Sequence, residues 1–206
     1  MGTPNYNSET RVIGVAGNIV TIESQQALMK NEVAYIQVGD ASLKSEVLRI
    51  SGSTADMQVF EDTSGIRVGD PVRLTKEMLP AVLGPGLLGS VYDGLQNPLH
   101  ELAERDGFFL RRGATVEPLS RENEWTFQPT VAVGDSVRGG DTLGTVAERN
   151  ILHKIMAPFD SPGPYEVTWI GKGKYRVDEI VAKIKPARGK PRSVTMQQTW
   201  PVRNPL

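Results

Sequence analysis

Six short runs between Arg11 and Thr75 constrain this chain more than anything else in it: RVIGVAG, NIVTIES, EVAYIQVG, KSEVLRISG, ADMQVFED and DPVRLT. Each is rich in Val, Ile, Tyr or Phe and bounded by turn residues, at the 8–12-residue spacing of small barrels and sandwiches. In EVAYIQVG, Ala34, Ile36 and Val38 fall on one face and Val33, Tyr35 and Gln37 on the other, as a period of two requires. Such strands must bury one face of a curled sheet, and the sequence predicts a closed six-stranded β-barrel. The 21 glycines and 14 prolines, about a sixth of the chain against an average near 12%, supply the tight turns this needs. Val-Gly-Asp recurs at 38–40, 68–70 and 133–135, with Gly able to take a positive φ and Asp able to close the turn with its side chain. The intervals share no period, so these are turns and not a repeat architecture.

One helix is signalled by NPLHELAERDG, with Asn97 as N-cap, Pro98 at the first helical position, Leu99, Leu102 and Ala103 as the apolar stripe and Gly107 as the stop. From Thr115 a second β-rich section begins, with EWTFQPTVAVGDSVRGGDTLGTVAE, ILHKIMAP and PYEVTWIGKGKYRVDEIVAKIKP as its runs and PFDSPGP (158–164) as a loop. The expected fold is therefore mainly β: a six-stranded barrel over 1–76, a connecting segment over 77–114 holding a short helix at 98–106, a second small barrel- or sandwich-like domain over 115–185, and a return linker over 186–206. The end, TWPVRNPL, offers no cap, no final element and an exposed Trp200, the expectation for a piece of a longer chain.

At 206 residues, with 39% hydrophobic and 23% charged residues and a net charge of −1, the composition is that of an ordinary globular protein, and bulk nucleic-acid binding is not favoured. No run approaches 18 apolar residues and the polar start has no signal-peptide core, so the sequence predicts a cytoplasmic location with no direct membrane insertion. The absence of cysteine removes thiol nucleophiles, disulfides and thiolate metal sites, and the two histidines, His100 and His153, have no metal-ligand spacing.

GPGLLG at 84–89 matches G-x-G-x-x-G literally. A dinucleotide loop needs a strand before it, a helix after it and free backbone amides. Here Pro80 lies in the lead-in, Pro85 removes an amide, and Gly94 and Pro98 interrupt any following helix, so a close-packed turn is the better account. No G-x-x-x-x-G-K-[ST] occurs, and RGKPR at 188–192 has Pro191 where a hydroxyl would hold magnesium. KIKPARGKPR (183–192) carries five basic groups without an interleaved aromatic, which favours a solvated, proline-stiffened linker over a nucleic-acid patch. GDSVRGGDTLGTV followed by HKIMAP suggests lipoyl or biotinyl carrier domains with Lys154 as the displayed lysine, although His153-Lys154-Ile155 departs from their Met-Lys-Met or Asp-Lys-Ala. Glu61-Asp62 and Asp178-Glu179 are adjacent, so on strands their carboxylates point apart and make no acid/base couple.

Three longer stretches carry a resemblance. VFEDTSGIRVGDPV (59–72) running into LGPGLLGSVYDGLQNPL (83–99), TMQQTWPVRNP (195–205) and GDSVRGGDTLGTV (134–146) are similar to segments of the catalytic A subunit of V-type and archaeal-type rotary ATPases. Ser53, Asn97 and the terminal Asn204-Pro205-Leu206 depart from that pattern. The resemblance implies an N-terminal part of that subunit: a barrel for the crown of the A/B hexamer, a connecting segment of the nucleotide-binding body, and a bulge that meets the peripheral stalk. It implies B-type and stalk subunits as partners, and a cytoplasmic position peripheral to the membrane. It also implies a parent that makes or hydrolyses ATP, with magnesium, coupled to proton or sodium transport. The P-loop of the family follows the point where this chain stops, so no catalytic, cofactor-binding or metal-ligating residue is assigned within it. A carrier on Lys154 and a small-barrel nucleic-acid module using 183–192 remain as alternatives.

Overall fold

A computed structural model describes residues 9–107, 110–159 and 163–204. Among the described residues the chain is mainly β, with sixteen strands and one helix, and it divides into two compact units: Met1–Ala81, His100–Thr115 and Trp200–Leu206 in the first, Val82–Leu99 and Val116–Thr199 in the second.

The first unit holds β1 (Thr10–Ala16), β2 (Ile19–Ser24), β3 (Glu32–Val38), β4 (Ala41–Ser51), β5 (Thr54–Val59) and β6 (Val72–Met78), one for each run read from the sequence. They form one antiparallel sheet in the order β1-β2-β5-β4-β3-β6. Inward residues alternate along the strands and meet in a single cluster that includes Val20, Ile22, Ile36, Leu43, Val47 and Met57. Fully burying side chains of this size contributes roughly 1.5–3 kcal/mol each. Three hairpins use two-residue loops, Gly17-Asn18, Gly39-Asp40 and Gly52-Ser53, each with its glycine at positive φ in the first position. A glycine there is what a type II′ turn demands, and that turn matches the twist of the strands it joins.

The expected closed barrel is curled but not closed by a continuous ladder. β1 and β6 meet at one bridge, Arg11 with Pro71, flanked by Val12 N donating to Asp70 O at 3.0 Å and Gly69 N to Val12 O at 2.8 Å. Pro71 has no N–H to extend that pairing, and β1 slips register between Val12 and Gly14.

In the second unit β8 (Glu124–Pro129), β9 (Ser136–Val137), β10 (Thr142–Glu148), β11 (Ile151–Met156), β12 (Tyr165–Ile170), β13 (Gly173–Arg176), β14 (Ile180–Pro186) and β15 (Arg192–Thr195) form two four-stranded sheets, β11-β10-β8-β13 and β15-β14-β12-β9. Val181 of β14 packs with Phe127, Val146, Ile155 and Met196, while its neighbour Ala182 packs with Leu143, Tyr165, Val167 and Val194. β14 is thus buried on both faces, and its register against β15 shifts between Ile180 and Ala182. The remaining strands, β7 (Pro80–Leu83) and β16 (Gln198–Pro201), pair with each other. β16 is an ordered element where the sequence promised none, and Trp200 within it is half-buried, with Nε1 donating to Asn204 O at 3.0 Å.

The helix α1 spans Leu99–Asp106 and ends at Gly107, which has φ 73° and donates its N–H to Ala103 O at 2.9 Å. Its predicted cap and stripe do not hold. The Asn97 side chain accepts from Val116 N and donates to Asp93 Oδ2, and of the apolar residues only Leu102 is buried while Leu99 and Ala103 are exposed. Residues 160–162 of the expected 158–164 loop, and Pro205-Leu206 of the end, lie outside the described residues.

Candidate functional site

The glycine-rich loop 84–89 is built like an anion cradle and is occupied by its own chain. Gly86 N and Leu88 N donate to Glu148 Oε1 at 2.7 and 3.2 Å, and Glu148 is only 2% exposed. The other carboxylate oxygen, Oε2, lies 2.6 Å from His153 Nδ1. Gly86 and Gly89 have φ 107° and 81°, conformations that admit few side chains, and a Cβ at Gly89 would stand 2.2 Å from Arg149 Cζ. Arg149 itself has φ 55° in the two-residue turn between β10 and β11. At Gly84 a Cβ would come within 3.0 Å of Leu119 Cδ1 and 3.2 Å of Met196 O. The loop therefore serves close packing, as the sequence predicted, and its converging amides neutralise a buried carboxylate in place of a phosphate.

The polar residues of the long motifs are engaged in holding backbone. In DGLQNPL, Asp93 Oδ1 accepts from Leu95 N and Asn97 N at 2.9 and 2.8 Å, and Gln96 clasps Val82 through both main-chain groups, at 2.8 and 2.7 Å. In EDTSG, Asp62 accepts from the main chain and hydroxyl of Ser64, bonds that lower its pKa, and Glu61 accepts from Gly113 N at 2.7 Å. Asp70 and Asp135 of two Val-Gly-Asp turns accept from the amides three residues back, Arg67 N and Ala132 N, at 2.8 and 2.7 Å. Asp141, which follows Gly140, repeats the bond with Arg138 N. In TWPVR, Arg203 makes a bidentate pair with Glu46 at 2.8 and 2.7 Å, and Glu46 is 1% exposed.

A second polar cluster lies at the end of α1. Asp106, whose side chain is fully covered, receives Arg105 Nε and Nη2 at 3.1 and 3.0 Å and Arg111 Nε and Nη2 at 3.0 and 2.7 Å. The hydrogen bond from Arg105, backed by Arg111, holds the Asp106 carboxyl at about 2.

The remaining sequence candidates do not converge. Lys154 lies within β11 opposite Thr145, whereas the hairpin tip is Arg149-Asn150, so the lysine is not displayed as a carrier lysine would be. The basic run 183–192 is not an extended linker but a hairpin, with Lys183 and Lys185 on β14 and Arg192 opening β15. His100 faces Glu104 on α1 at 3.6 Å, and His153 is engaged by Glu148. Among the described residues no group of three His, Asp or Glu could hold a metal ion. Sequence reasoning missed Glu148, Glu46 and the Asp106 cluster. Glu148 shares a face of β10 with the buried Val146, where an acid in the alternating pattern was the available signal, whereas Glu46 lies on the face of β4 opposite Leu43 and Val47 and carried no such signal.

Comparison with known proteins follows the same division. The model of the β-barrel domain of the ATP synthase alpha/beta family matches residues 12–76, and the model of the ATP synthase alpha/beta subunit barrel-sandwich domain matches residues 116–203. The V-type ATP synthase alpha chain of Borreliella afzelii is 47% identical over 97% of this chain and 35% of its own, and that of Treponema denticola 46% identical over 95% and 33%. This chain thus spans about a third of the length of these curated relatives. Among solved structures, the assembled ATPase EscN of the enteropathogenic E. coli type III secretion system matches with a TM-score of 0.38 and 22% identity over 44% of this chain and 21% of that one, too loosely to add to the description. With two domain models and near-complete alignment to V-type alpha chains, the chain belongs to the ATP synthase alpha/beta family, on the V-type alpha side, and carries its β-barrel and barrel-sandwich domains.

Proposed function

We propose that this chain is the structural and assembly part of the catalytic A subunit of a V/A-type rotary ATPase. The observation that carries the proposal is the alignment of 95–97% of the chain with only a third of V-type ATP synthase alpha chains. Two features support it: the sequence has no P-loop, and the glycine-rich loop gives its amides to Glu148. ATP and magnesium would be handled by the remainder of the parent, which makes or hydrolyses ATP coupled to ion transport.

In this proposal residues 1–76 join the barrels of alternating A and B subunits in a hexameric crown. Residues 115–185 form the bulge that meets the peripheral stalk, and 77–114 and 186–206 lead toward and back from the nucleotide-binding body. The outward face of β1 supports the crown role, since Ile13 and Val15 are 42% and 41% exposed on an edge strand that lacks a continuous neighbour. An open edge with apolar side chains is a site for pairing with another chain. In this proposal the parent lies on the cytoplasmic side, peripheral to the membrane.

The test is co-purification of the chain with the B-type subunit of the same organism. A complex that Ile13→Asp with Val15→Asp abolishes, in a chain that keeps its circular dichroism spectrum, is expected. No association of the unsubstituted chain, or association indifferent to these changes, overturns the crown assignment.

A further inference from the structure

An open depression of about 350 Å³ beside the end of α1 is lined by Arg105, Arg111, Arg112, Gly113, Ala114 and Thr115. Three guanidinium groups and no carboxylate line it. Of the acids nearby, Asp106 is covered and bound by Arg105 and Arg111 themselves, Asp62 accepts from Ser64 and attracts Arg112, and Glu61 accepts from Gly113 N.

The arginines are also held in place. Arg105 has all three nitrogens engaged, with Nη1 donating to Thr115 O at 2.8 Å and the other two on Asp106. Arg111 lays Nε and Nη2 on Asp106, and Arg112 gives Nη2 to Asp62 O at 2.8 Å. Arg111 Nη1, Arg112 Nε and Nη1, and the Thr115 hydroxyl have no hydrogen-bond partner among the described residues. Guanidinium groups fixed by one edge and open on the other suit an oxyanion with several acceptor oxygens, because little side-chain freedom is left to lose on binding.

We propose that this depression binds a phosphate-type oxyanion, a free phosphate or diphosphate group, with Arg111 and Arg112 as its ligands and Asp106 as the residue that positions Arg111. The site stands on these residues alone and does not depend on the rotary-ATPase assignment. A phosphate carried on a lipid headgroup has the same chemistry but a different source, and the test separates the two.

The chain is titrated with pyrophosphate and with inorganic phosphate by isothermal calorimetry at low salt. One-to-one binding with a dissociation constant below about 1 mM is expected for pyrophosphate, weakening as salt rises. Arg112→Gln and, separately, Arg111→Gln weaken it at least about tenfold. Both side chains are exposed, and thermal melts serve as the control that the variants stay folded. The proposal is overturned by the absence of saturable binding up to about 10 mM, by wild-type affinity in both variants, or by co-sedimentation with phosphatidate vesicles in a chain that binds neither free anion.

Discussion

Glu32, Glu46 and Glu148 are each at most 2% exposed, and each fastens a segment distant in sequence. Glu32 accepts from Met29 N and Lys76 N, Glu46 from Arg203, and Glu148 from Gly86 N and Leu88 N. A buried carboxylate is stable only when its lone pairs are taken, and removing it leaves the donors without an acceptor. Glu148→Ala is therefore expected to destabilise the second unit by roughly 2–4 kcal/mol in urea melts, and Glu148→Gln, which keeps an acceptor oxygen, by less. Asp106, held by two arginines, is testable by pH. Its folded pKa of about 2 lies below the ordinary 3.8, so its contribution is complete above about pH 4 and disappears as pH falls through 2. Melts from pH 2 to 5 should show the wild type more stable than Asp106→Asn at pH 5, with the gap closing toward pH 2. None of these roles was legible beforehand. An inward acid in an alternating run, such as Glu148, signals a buried carboxylate, but its donor lies 62 residues away in sequence and local pattern cannot name it, and Glu46, on the other face of β4 from Leu43 and Val47, gives no such signal.

Strands were the most legible elements, because β-branched alternation and glycine turns act locally. All six runs of the first unit became strands, and two of the three Val-Gly-Asp turns close through the aspartate side chain as expected. The short helix was found, but its cap and stripe were misread: Asn97 ties 93 to 116, and only Leu102 is buried. Eight residues cannot be stable on helix propensity alone, so tertiary contacts decided which side chains matter. Closure of the barrel depends on one edge pairing that Pro71 cuts short, a fact about two strands together and not about either. At this scale Gly144→Ala is a sharp test. Its Cβ would lie 2.3 Å from Phe127 Cζ and 2.6 Å from Gln128 O, and overpacking of this kind costs about 1–3 kcal/mol. Gly94→Ala, with nothing within 4 Å, should be near neutral in the same urea melts.

For the whole molecule, the two compact units each draw on more than one stretch of the chain. Residues 200 onward belong with the first unit, and within that unit Arg203 reaches Glu46 and Val202 N donates to Leu79 O at 2.9 Å. Arg203→Ala should lower the thermal midpoint by at least about 3 °C, because Glu46 keeps its burial and loses its only cationic partner among the described residues. Several polar residues of the motifs that carry the family resemblance are architecture: Glu61, Asp70, Asp93, Gln96, Asp135 and Asp141 bind backbone, and Arg203 pairs with Glu46. That is why family membership was legible from sequence while no reactive group was. We propose that this chain supports a nucleotide enzyme whose chemistry lies elsewhere in the parent subunit. Phosphate release from Mg-ATP by the purified chain tests it most directly. Release at the rate of buffer alone is predicted, whatever anion the arginine depression binds. Sustained turnover that scales with the concentration of the chain would contradict it.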